Sequence, residues 1–141
     1  MLKLVIALFA FTLVFATPAF APSIAIAKFY EREIVHSNLG NFRGATESWQ
    51  GEILLQRTRR IIGASTTSCI RVSPTLRSCI ATYALPEGVI EVQGIVGVLR
   101  VYSLTVTGGT GTYLGYEGWV KTFGVANGPR VSELTFHLLS A

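Results

Sequence analysis

The stretch from Leu104 to Val120, LTVTGGTGTYLGYEGWV, constrains the fold of this chain more than any other, because it joins two strand-like runs through a connection dense in glycine. Before it, Tyr102, Leu104 and Val106 alternate with Ser103, Thr105 and Thr107, the period of a strand with two unlike faces. After it, Trp119, Lys121 and Phe123 alternate with Val120 and Thr122. Gly108, Gly109, Gly111, Gly115 and Gly118 supply the left-handed backbone positions and side-chain-free contacts of a tight, packed connection. A phosphate-cradling loop uses similar glycines, but it ends in Lys-Ser or Lys-Thr and opens an amphipathic helix. Here Thr112, Tyr113 and Leu114 follow Gly111 and no helical period comes after them. The stretch reads as a strand-to-strand corner.

The same short alternation runs through the rest of the chain. Trp49, Gly51, Ile53 and Leu55 alternate with Ser48, Gln50, Glu52 and Leu54, and comparable runs lie at 24–35, 60–64, 66–72, 78–85, 89–95, 99–107, 115–123 and 130–139. Ser73-Pro74, Pro86-Glu87-Gly88 and Ala126-Asn127-Gly128-Pro129 punctuate them with turn chemistry. Residues 36–46, HSNLGNFRGAT, are polar and glycine-rich and read as a loop long enough to cover one end of the fold. Arg57-Thr58-Arg59-Arg60 reads as a solvated hairpin tip. Regular short strands in one small domain imply an all-β barrel or a sandwich, and the pattern alone does not choose between them.

Residues 1–21 carry one early cation, Lys3, then an apolar run and Ala19-Phe20-Ala21, which reads as a secretory signal peptide with cleavage between residues 19 and 27. The run is short for a membrane span and has no basic flank to stop transfer, so no stable span is expected in the mature protein. Residues 22–141, about 120 residues, make one domain with a single core. Without Lys3 this part has a net charge of only +3, which with export argues against nucleic acid as a partner. The expected location is extracellular, or periplasmic in a bacterium. All acids are Glu, so a Ser-His-Asp triad is excluded and the usual hard-metal ligands are missing. His36 and His137 are far apart, with no further ligands nearby, and no metal site is expected. Cys69 and Cys79 flank the Pro74 turn, and in an exported chain this even count favours a disulfide over free thiols.

Leu85-Pro86-Glu87-Gly88, then Ile90-Glu91-Val92-Gln93-Gly94, then Val106-Thr107-Gly108-Gly109-Thr110-Gly111 stand in an order and at a spacing that resemble the allene oxide cyclase and dirigent barrel superfamily. The resemblance runs from about Cys69 to Lys121. It implies a single antiparallel β-barrel of about eight strands, with a ligand space in its lumen and no cofactor. Members are commonly dimers or trimers, so it also implies a homo-oligomer. In the cyclases a cavity cysteine corresponds to Cys69, a cavity phenylalanine to Cys79 and a cavity tyrosine to Val96. The cyclases also use a Glu and an Asn on one face of the first strand, and the Asn is absent here. One match of that strand turns Glu31 and Glu33 inward as the catalytic carboxylates; a match slipped by one residue turns Tyr30 and Arg32 inward instead. The dirigent Tyr-Asn-Gly-Ser-Thr strand motif is also absent.

The resemblance therefore implies a barrel that binds a small apolar ligand through Tyr30 or Arg32, Tyr83 and Val96, and directs its cyclisation or stereochemistry as a cofactor-independent isomerase would. Such a barrel holds a flexible substrate in one conformer while a Glu stabilises developing positive charge. The competing readings are a non-catalytic binding module and a structural protein. A spacious lumen holding a carboxylate favours the first reading, a packed interior the others.

Overall fold

The computed structural model describes residues 23–124 and 130–140. The expected leader and the turn Ala126-Asn127-Gly128-Pro129 lie outside the described residues. Eight strands follow in chain order: β1 (Ile24–Asn38), β2 (Thr46–Leu55), β3 (Ile61–Arg71), β4 (Leu76–Leu85), β5 (Gly88–Gly97), β6 (Val101–Gly109), β7 (Glu117–Gly124) and β8 (Val131–Leu139). Each pairs antiparallel with the next, and β8 returns to β1 from Ile24↔Leu139 to Arg32↔Val131, closing a barrel. That last pairing decides between barrel and sandwich, and it leaves the sheet without an unpaired edge. No described helix is long and apolar enough to cross a membrane.

Two bulges correct the sequence-based reading. The runs 60–64 and 66–72 are one strand, β3, paired continuously through Ser65, and its register with β2 slips between Ile53↔Gly63 and Leu54↔Ile61, leaving Ile62 as an extra residue. The slip lies within the first of these runs, and inward and outward residues alternate without a break from Ala64 through Ser65 to Ile70. In β1 the register slips between Glu33↔Gly51 and Val35↔Gln50, leaving Ile34 extra. The phase turns over at that point, so Glu31, Glu33 and then His36 face inward. β1 also runs through Asn38, and the loop expected at 36–46 shrinks to residues 39–45.

The two halves of the interior differ. Toward the β2–β3, β4–β5 and β6–β7 connections the lumen is filled by Ile53, Tyr83, Ile90, Val92, Leu104, Val106, Val120, Leu134, Phe136 and Leu138. Tyr83 and Phe29 both meet Phe136 edge-on, at centroid distances of 5.1 and 6.0 Å. The glycine-rich corner lies at this end and is tied to the β4–β5 turn by Thr112 N–H donating to the Glu87 carbonyl at 3.0 Å and Thr110 N–H to Val89 at 2.9 Å. Gly111 adopts φ +60°, and a Cβ there would stand 2.4 Å from the Glu87 carbonyl oxygen, so only glycine lets the corner sit this close. Tyr113 from the same corner packs against the core. The corner thus packs beside the filled end of the barrel, and the site lies at the other.

Candidate functional site

At the opposite end the barrel opens into a cavity of about 360 Å³ between the second half of β1, the starts of β2, β4, β6 and β8, and the β5–β6 connection. Its floor is the Glu31 side chain, which is only 5% exposed. The Ser65 hydroxyl on β3 donates a short hydrogen bond to Glu31 Oε1. The intervening strand makes room for this pair with Gly51, where a Cβ would lie 2.7 Å from Ser65 Oγ and 2.8 Å from Glu31 Cγ. Burial raises the Glu31 pKa above the ordinary carboxylate value; the Ser65 hydrogen bond opposes the rise and the charge of Glu33 adds to it. Below and beside Glu31 stand two phenols. Burial, with a smaller effect of Glu31, pushes Tyr83 well above its usual value and Tyr102 up to about 12, so both are neutral donors near neutral pH. Between these side chains lies the buried Thr122 hydroxyl, whose interaction with each phenol partly opposes the rise.

The walls are charged. His36 lies with Nδ1 3.1 Å from Glu33 and Nε2 3.3 Å from Glu47, and its ring stacks parallel to Trp49 at 6.1 Å. The Nδ1 contact is a close approach and not a directed hydrogen bond. Arg77 donates from Nη1 to Glu47 at 2.9 Å and stands over the rings of Trp49 and Tyr102 at 5.8 and 5.6 Å. Arg130 donates to Glu33 at 3.1 Å. Val98, Leu99 and Arg100 of the β5–β6 connection overhang the opening.

The structure takes the β1 phase that turns Glu31 and Glu33 into the cavity together. Tyr30 and Arg32, expected to bind ligand in the other phase, are on the outer wall: Arg59 stands 4.0 Å over the Tyr30 ring, and Arg32 donates to Glu52 at 3.1 Å. Tyr83 and Val96 point inward as expected but are packed in the core and do not line the cavity. Cys69 and Cys79 pair directly across β3 and β4 and form the disulfide, buried and facing inward yet also outside the cavity lining. His137 stacks on Trp119 on the outer wall, far from His36. Among the described residues no three metal-ligating side chains converge.

Besides the β1 carboxylates expected from the sequence, the open half holds His36, Glu47, Arg77 and Tyr102. His36 was hidden by the bulge at Ile34. Glu47 and Arg77 did carry a signal, since each sits in the inward phase of its strand, two residues before Trp49 and Cys79 respectively. A charge in the apolar phase of a strand marks a wall that water or a ligand reaches.

No family model matches the chain, and no curated protein matches it. Solved structures do match. A pyocyanin demethylase superposes with a TM-score of 0.69 at 19% identity, covering 79% of this chain and 99% of its own. The pterocarpan synthase dirigent protein GePTS1 gives 0.71 at 11% identity, covering 93% and 99%. The Diels-Alderase AbmU from Streptomyces koyangensis gives 0.72 at 12% identity, covering 87% and 71%. A closed β-barrel of this kind is what the family resemblance of the glycine-rich corner and the turns before it implies. In fold, this chain is a closed eight-stranded dirigent-like barrel.

Proposed function

We propose that the chain is an exported barrel that binds a small organic molecule in its open cavity and orients it over Glu31. The observation that carries this reading is a buried carboxyl at the floor of an open cavity, held by a serine hydroxyl in a space that a glycine leaves free. A barrel with a purely structural role gains nothing from a buried carboxyl, whose desolvation costs stability unless it is compensated. The cavity volume falls in the range of small-ligand sites. The leader-like N-terminus and the disulfide support export.

The geometry supports conformational control of a ligand together with proton exchange. A flexible molecule confined between Trp49, Tyr102 and Val131 has few folded conformers left, and that restriction alone accelerates an intramolecular bond-forming step. Glu31, protonated to higher pH than an ordinary carboxyl, donates a proton in its acid form; in its ionised form it accepts one or stabilises positive charge building up above it. Tyr102 offers a neutral O–H on the same wall. Cyclisation or another isomerisation without net redox change is the reaction class this arrangement fits.

A fragment screen observed through the protein's own 1H–15N signals tests the binding reading. Hits should shift the signals of residues around Glu31, His36, Trp49 and Tyr102, and Glu31→Gln should alter the shifts. Hits confined to the outer wall would defeat it.

A further inference from the structure

We propose that the cavity selects amphipathic organic monoanions, with the charged group held by Arg100 at the mouth and the apolar body covered by Val98 and Leu99. This rests on the reading that the cavity is a ligand site, and it specifies the chemistry of the ligand. The charge pattern is the first ground. Three carboxyls, those of Glu31, Glu33 and Glu47, and three guanidiniums, those of Arg77, Arg100 and Arg130, line the cavity. Arg77 is engaged by Glu47 and Arg130 by Glu33. Arg100 has no carboxylate partner among the described residues, and all the glutamates of the chain are among them. The sequence of residues 125–129, Val, Ala, Asn, Gly and Pro, contains no acid. Burial raises the pKa of Glu31, which favours its uncharged form and lessens the negative charge facing the guanidiniums.

The second ground is the shape of the mouth. Leu99 is 73% exposed and Val98 45% exposed, immediately before Arg100 on one short connection. A Cβ at Gly124 would lie 3.4 Å from Arg100 Cβ and 3.6 Å from its Cγ, so the start of the Arg100 side chain passes close to Gly124, and both residues line the cavity. Two uncovered aliphatic side chains beside an unpaired guanidinium match a molecule that is apolar along its length and anionic at one end. A neutral apolar ligand satisfies the aliphatic pair and leaves the cation unused. A highly charged ligand does the reverse, and it also meets Glu33 and Glu47 further in.

Two dyes that differ in one charge test this on the intact folded protein: 8-anilinonaphthalene-1-sulfonate and its uncharged counterpart N-phenyl-1-naphthylamine. The wild type should bind the sulfonate about tenfold more tightly, the value of one charge-assisted contact. Arg100→Gln, at an exposed position, should remove that tenfold preference and leave the uncharged dye's affinity unchanged. Raising the salt concentration should weaken only the sulfonate, and only in the wild type. The indole N–H signal of Trp49 should shift with either dye while that of Trp119, on the outer wall, stays in place. Equal affinities for the two dyes, unchanged by Arg100→Gln, with Trp49 shifting, would overturn the monoanion assignment and leave the cavity reading standing. Binding of neither dye, or binding without a shift of Trp49, would overturn both.

Discussion

Removing the Cys69–Cys79 bond offers a sharp test of how this barrel is held together, because the two contributions of the bond separate cleanly. The bond closes a loop with a sequence separation of 10, and both cysteines are 1% exposed in the core. Restoring the freedom of that loop to the unfolded chain costs about 2.7 kcal/mol at 25 °C in the chain-entropy relation. Cys69→Ala/Cys79→Ala also deletes two buried sulfurs, at about 1 kcal/mol each, for a total of about 5 kcal/mol. Reducing the wild type leaves the sulfurs in place, so it should show the first contribution alone. For a domain of this size, at about 4 °C per kcal/mol, the melting temperature should fall by about 11 °C on reduction and about 20 °C in the double variant. Urea unfolding read by tryptophan emission gives both free energies. Its slope should steepen when the bond is absent, since the unfolded chain then exposes more surface. Thiol titration of the unfolded, unreduced protein should find no free sulfhydryl. A loss below about 1 kcal/mol on reduction would refute the reasoning, because it would mean that the β3–β4 hairpin stays closed in the unfolded chain without the bond. Dye binding should survive in the folded double variant, since neither cysteine lines the cavity.

Three further outcomes follow from the site and the leader. The folded-state pKa of Glu31 is raised, so its favourable contribution is complete below the unfolded value of 4.5 and is lost as pH rises through the folded value. Glu31→Gln should therefore gain on the wild type as pH increases, in paired urea titrations across that range; a gain that shrinks with rising pH contradicts the assignment. Gly51→Ala forces a Cβ against Ser65 and Glu31 and should cost about 1–3 kcal/mol. It should also push the Glu31 titration higher still, followed by carboxyl 13C shifts, because the Ser65 hydrogen bond that opposes the rise is displaced; an unmoved titration would show that the bond does not hold Glu31. Mass spectrometry of the exported protein should find its N-terminus between Phe20 and Lys28, and an intact Met1 on soluble protein would exclude a cleaved leader.

Local pattern in the sequence carried the all-β architecture, the glycine-rich corner and the hairpin of the disulfide. Alternation with period two is set by the pleat of a single strand, and turn residues act within a few positions, so both are legible one segment at a time. Glu31 and Glu33 were legible as a pair for the same reason, but not which way they faced. That depended on register, and register is a relation between strands. The bulges at Ile34 and Ile62 show this directly: each reverses the phase of its own strand in response to a partner distant in sequence, and the first carries His36 into the cavity. The pairing of β8 with β1, which turns a sheet into a barrel, is likewise invisible in either strand alone. The meeting of Glu31 with Ser65, of His36 with Glu47, and of Arg77 with Trp49 and Tyr102 exists only once the barrel has closed. A closed sheet converts separate inward faces into one shared interior, and the chemistry of the site lies in that sharing.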